Sequence, residues 1–146
     1  MTMTSARRLR DDERGLSPFV LMASVMAFLI ISVGLVAGLV ASMQTSATMQ
    51  VNAQLADAAS AAAREPVRQG LGAVQALPAS SSLQFEIGAF TAEATRAVEV
   101  NPMSGTARVT VSVGKFNGSE FADPASCTSA PTGCIVVSEM VAGGTS

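Results

Sequence analysis

"PFVLMASVMAFLIISVGLVAGLVA", Pro18 to Ala41, is the stretch on which the fold turns. Its 24 consecutive residues carry no charge. At ~1.5 Å of rise per residue a helix of this length covers roughly 36 Å, more than the ~30 Å hydrocarbon core of a bilayer. A surface helix of a soluble protein shows a polar face at this length, and none is present. The stretch therefore reads as a transmembrane helix. The competing reading is a cleaved secretory signal, whose apolar region normally runs ~7–15 residues before a small-residue cleavage site. The run here is longer, although "VAGLVAS" contains small residues of the kind a signal peptidase accepts.

The flanks set an orientation. Arg7, Arg8, Arg10 and Arg14 precede the span, and no Lys or Arg follows until Arg64. Orientation follows basic residues near the ends and largely ignores acidic ones, so Asp11, Asp12 and Glu13 do not cancel the bias. The expected topology is a single pass through the inner or cytoplasmic membrane, with a cytoplasmic N-terminus and an extracytoplasmic remainder. Ser17 is a suitable N-cap, and Pro18 suits the first helical position, where its missing N–H has no partner to lose. Within the span, Gly34 and Gly38 form G-x-x-x-G and Ser42 continues the spacing. Small residues one turn apart let another helix approach closely, although Gly and Ala are also common in such helices without that role.

Composition agrees. Of 146 residues, 49% are hydrophobic and 14% charged, and the apolar excess is concentrated in the one run. The net charge of -2, with no basic stripe beyond the leader, excludes a nucleic-acid partner. The absence of His removes imidazole base chemistry and most zinc sites. The acidic residues Glu86, Glu93, Glu99, Glu120, Asp123 and Glu139 are scattered and read as solvated surface charge. No phosphate loop, metal-ligand spacing or nucleophile motif occurs. No catalytic, cofactor-binding or metal residue is assigned; the protein is expected not to be an enzyme and to take no cofactor and no small-molecule substrate. Cys127 and Cys134 are the only cysteines. Outside the cytosol they read as one small disulfide loop; in the cytosol, as two idle thiols.

Beyond the span, Met43 to Arg64 is rich in Ala and Gln and free of Gly and Pro. Met49, Val51, Leu55, Ala58, Ala59 and Ala62 fall near one helical face, with Gln50, Asn52, Gln54 and Asp57 largely off it. The helix is expected to end near Pro66, since a residue before proline resists helical geometry, with a short helical piece at 67–70. This narrow stripe packs on the C-terminal sheet or on neighbouring subunits, or else belongs to a solvated stalk. "PASSS", 78–82, reads as a linker. Leu83, Phe85 and Ile87 then alternate with polar residues as a strand. Thr95–Asn101 and Thr106–Val113 read as a hairpin in which Val98 faces Val109 and Glu99 faces Arg108. Cys134–Val141 reads as the last strand. The expected fold is α+β: a long N-terminal transmembrane α-helix extending out of the membrane and packed on a small antiparallel sheet. The expected divisions are a leader at 1–15, the transmembrane helix at 16–43, an extracytoplasmic helix at 44–77 and a β-rich domain at 78–146.

Two segments in order, "RRLRDDERGLSPFVLMASVMAFLIISVGLVAG" and "VNAQLADAASAAARE", resemble the N-terminal region of TadE/TadG-like proteins of bacterial tight-adherence (Flp) pilus systems. Those proteins are similar at this end to type IV pilins and pseudopilins. The resemblance covers roughly Arg7 to Glu65. It implies a pilin-like fold and a structural role as a pseudopilin or minor pilin in a pilus or related secretion apparatus. It implies as partners the membrane, other pilin or pseudopilin subunits, the assembly machinery and a prepilin peptidase cutting between Gly15 and Leu16. Such subunits usually carry Glu at the fifth mature position, where this chain has Val20, and Pro18 is unusual at the third. Those departures fit a minor or tip-like subunit, or a TadG-like anchor that is never cleaved. The alternative is an anchored or secreted extracytoplasmic binding module unrelated to pili.

Overall fold

The structure, a computed structural model, describes residues 18–143. The chain divides into two compact units, residues 1–43 and 44–146.

Helix α1, Pro18–Arg68, contributes to both. In the first unit its apolar side chains are exposed, Phe28 and Ile30 at 71% and Val33 at 68%. By length and composition this helix is able to cross a membrane. Ser24 and Ser32 turn their hydroxyls onto the carbonyls of Val20 and Phe28, four residues back, at 2.9 and 2.8 Å. Each polar group is thereby satisfied within the helix, as an apolar surrounding requires.

The second unit is α+β. The rest of α1 lies on a four-stranded antiparallel sheet of order β1-β2-β3-β4, with β1 Ser80–Ile87, β2 Phe90–Asn101, β3 Thr106–Gly114 and β4 Cys134–Ala142. A short helix α2, Leu71–Gln75, separates α1 from β1. Leu55, Ala59 and Ala63 of α1 are fully buried against Ile87, Ala92, Ala94, Val111 and Val113. A second apolar cluster joins Val74 of α2 to Val98, Ala107 and Val109. The Ala-rich face is thus a docking face and not a solvated stalk. It is shorter than its periodicity suggests: Met49 is 67% exposed, because the buried row begins only at Leu55.

The helix passes Pro66 and ends at Arg68. Pro66 sits in the last turn, where the backbone is already tightening: Gln69 N donates to Pro66 O and Gly70 N to Val67 O, each three residues back. The ring itself is buried. No helix occupies 67–70 as a separate piece; the chain turns at Gly70 into α2.

The register of β2 and β3 is the expected one, with Val98 opposite Val109 and Glu99 opposite Arg108. Two boundaries differ. Ser80–Ser82 belong to β1, pairing with Ala97–Thr95, so "PASSS" is only partly a linker. β2 begins at Phe90 and not at Thr95, because Ala92 and Ala94 fill the space under α1, where larger side chains would hold the helix away. The two residues between β1 and β2 include Gly88 at φ +61°, a conformation that suits glycine and a tight hairpin turn.

Leu55 fills the centre of this interface, so Leu55→Ala should lower unfolding free energy by about 2–5 kcal/mol. Met49→Ala should change it by less than ~0.5 kcal/mol. Chemical denaturation of the full chain in detergent, followed by circular dichroism and by exchange of the sheet amides, distinguishes the two.

Candidate functional site

Among the described residues, no group of three or more His, Cys, Asp or Glu is placed to hold a metal ion. The cleft beside the β2–β3 turn is lined by Glu99, Asn101, Thr106, Arg108 and Met140 among others. The features that can do something are a helix surface, a braced loop and a polar edge of the sheet.

The helix surface lies in the first unit. Gly34, Gly38 and Ser42 recur at every fourth residue and so share one side of α1. A Cβ at Gly34 or Gly38 would meet nothing within 4 Å. The Gly15–Leu16 junction, Ser17 and the leader arginines lie outside the described residues.

The braced loop joins β3 to β4. It leaves β3 at Gly114, where any Cβ would strike the backbone carbonyl of Ala122; only glycine lets the returning chain cross so closely. Ala122 N donates to Lys115 O, and Lys115 N to Gly133 O. Asp123 caps the short 3-10 helix Pro124–Thr128, its Oδ1 accepting from Ala125 N at 2.9 Å. A second such turn, Pro131–Gly133, delivers the chain to β4. Cys127 and Cys134 are joined in a disulfide, with Cα atoms 5.5 Å apart and both side chains buried. Cys134 is also the first residue of β4, so the covalent bond sets the start of that strand.

Asn52 ties α1 to this loop. Its Nδ2 donates to Phe116 O at 3.0 Å, and its Oδ1 accepts from Phe116 N at 2.8 Å. One side-chain amide thus satisfies both backbone groups of a buried residue, as a neighbouring strand would. Phe116 packs its ring against Phe90 and Phe121, with centroids 5.0 Å from each. The expectation sets Asn52 largely off the apolar face; the 3.6-residue period instead puts it on the side of Leu55 and Ala59, three and seven residues on, where a polar residue calls for a partner that only the folded loop supplies.

The polar edge lies at β1. Ser81 and Arg96 are direct cross-strand partners, and Arg96 shares a face with Val98 and Ala94, the face covered by α1. Ser81 Oγ and Arg96 Nε are buried and hydrogen-bonded to nothing. Across the sheet, Arg64 Nε of α1 donates to Glu139 Oε1 of β4 at 2.9 Å. Strand parity alone places Arg96 on the apolar face, two residues from Val98.

Comparison with protein-family models, curated proteins and solved structures returns no match for this chain.

Two outcomes test the braced loop. Asn52→Ala leaves the Phe116 N–H and C=O without partners, a loss of about 1–3 kcal/mol; exchange of the Phe116 amide should accelerate ~5- to 150-fold while the centre of β3 is unchanged. Alkylation of the native chain without reductant should leave Cys127 and Cys134 unlabelled, with two labels by mass after reduction.

Proposed function

We propose that this protein is a structural, single-span membrane component: a pseudopilin-like or minor-pilin subunit of a tight-adherence (Flp, type IV-like) pilus or related secretion apparatus. The observation that carries the reading is the order of parts within one helix. A charge-free run long enough for a bilayer comes first, and the same helix then presents the Ala-rich face that docks on a four-stranded sheet. The leader arginines favour a cytoplasmic N-terminus and an extracytoplasmic sheet, and the Cys127–Cys134 disulfide suits that side of the membrane.

On this reading the span associates with other subunits' helices through the Gly34–Gly38–Ser42 side. In hydrocarbon there is no hydrophobic drive between helices, so close backbone packing at small residues carries the association. Val20 brings no carboxylate into the bilayer and needs no buried cationic partner. That favours a minor subunit or a permanent TadG-like anchor over a repeated filament subunit. The same residue keeps a second reading in view, an anchored binding module unrelated to pili. Neighbouring genes for an ATPase, a prepilin peptidase and other short single-span proteins support the pilus; genes for transport or signalling support the module.

N-terminal sequencing of the membrane-extracted protein is the direct test. A start at Leu16 is the outcome expected of a processed pseudopilin, and a start at Met1 that of an uncleaved anchor. A start beyond Ala41 overturns the membrane role.

A further inference from the structure

The sheet has two open edges, and their chemistry is complementary. β1 and β4 are its outer strands. Val98 N donates to Ala79 O, so odd-numbered residues of this strand turn their backbone groups toward β2. The N–H and C=O groups of Ser80, Ser82, Gln84 and Glu86 therefore face the open edge. On the other side, Lys115 N donates to Gly133 O and Gly143 N to Gly105 O, so odd-numbered residues of β4 bond β3. The backbone groups of Val136, Ser138 and Met140 face outward. Neither edge carries proline or a bulge, the usual devices that keep strands apart.

The inner-face side chains of these edges are half-buried. On β1 they are Leu83 and Phe85, with Ser81 and its unpartnered hydroxyl at one end and the unpartnered Arg96 Nε behind it. On β4 they are Ile135 and Val137, followed by Glu139. Arg64 takes only Oε1 of Glu139, leaving Oε2 as an acceptor.

We propose that the β1 edge of one copy pairs antiparallel with the β4 edge of a second copy, with Ser81 opposite Glu139 of that copy. In this register Leu83 faces Val137 and Phe85 faces Ile135, so apolar meets apolar on the inner face. Ser82 faces Ser138 and Gln84 faces Val136 on the outer face, with no like charges opposed. The outward backbone groups of both strands coincide, as the ladder requires. Shifting by two residues in one direction sets Leu83 against Glu139. Glu139 of the second copy lies two strand spacings from Arg96, about 10 Å between Cα atoms, a gap that a Glu and an Arg side chain bridge jointly. Its carboxylate then gives Ser81 Oγ and Arg96 Nε the acceptor that each lacks. Burying such donors unpaired is unfavourable, and a charge-assisted pairing is among the stronger remedies. Four strands occupy roughly 19 Å, which leaves room for the ~10–12 Å helix of each copy on the shared face. The contact joins unlike surfaces, so it repeats head to tail and produces an array instead of a closed pair. The proposal stands on the sheet domain and does not require the pilus reading.

The test mixes two populations of the full chain in detergent, each with one added cysteine, Ser82→Cys and Ser138→Cys, under mild oxidation, with the native disulfide already closed. Cross-linking at least tenfold above the out-of-register pair Ser82→Cys with Met140→Cys is expected. Gln84→Pro in the first population should reduce the yield at least fivefold, because that N–H faces only the edge and no internal bond is lost. Arg96→Glu should reduce it similarly, and Glu139→Arg in the second population should restore it. Equal yields in and out of register overturn the proposal. So does cross-linking between Ser82→Cys copies alone, which indicates a two-fold β1–β1 pairing, or a yield that Gln84→Pro leaves unchanged.

Discussion

The domain depends on one contact, the alanine-rich face of α1 against the inner face of the sheet. Ala59 and Ala63 on α1 meet Ala92 and Ala94 on β2, with Leu55, Val111, Val113 and Ile87 filling the space around them. Alanine buries little area per residue, so most of the energy of the interface comes from its larger neighbours. Everything that tightens the approach therefore matters. Gly114 lets the β3–β4 loop cross within backbone contact, and Asn52 secures that loop to the helix. Asp123 caps the turn that presents Cys127 to Cys134.

The polar groups divide by face in the same economical way. The outer side of the sheet carries Thr95, Thr110, Ser112 and Ser138, Thr110 and Ser138 sharing a hydrogen bond at 3.0 Å. The inner side admits Glu139 on the edge strand β4 and Arg96 on β2, next to the edge strand β1, where Arg96 Nε is buried without a partner. In the Arg64–Glu139 pair the arginine is exposed, at 65%, and the glutamate half-buried, at 31%, and solvent screening leaves the pair at most about 1 kcal/mol. Its value lies in fixing where the carboxylate points.

Much of this arrangement is legible in the residues themselves. A helix able to cross a membrane shows in length and lack of charge, and the β2–β3 register shows because apolar and charged pairs agree on one alignment. The disulfide shows because only two cysteines exist. Ser80–Ser82 and Phe90–Ala94 are hard to read as strand because serine and alanine carry little strand preference; pairing and the need for small side chains under α1 outweigh it. Pro66 suggests too early a helix end because proline is judged by its cost in mid-helix, a cost that fades in the final turn. Asn52 and Gly114 act on residues 64 and 8 positions away. No local pattern announces such partners, and the same holds for the edge chemistry of Ser81 and Arg96.

The placement of α1 ahead of all four strands has a consequence for how the chain is made. The helix face bearing Leu55, Ala59 and Ala63 leaves the ribosome first, yet its partners extend to Val113, and the loop that Asn52 holds is closed by Cys134. Until β3 has been synthesised, that face has only the β1–β2 part of its cover, without Val111 and Val113, and an alanine stripe alone drives little collapse. The domain therefore matures late and as a whole, through contacts of large sequence separation that are slow to form. During that interval the strands already made keep their edges bare.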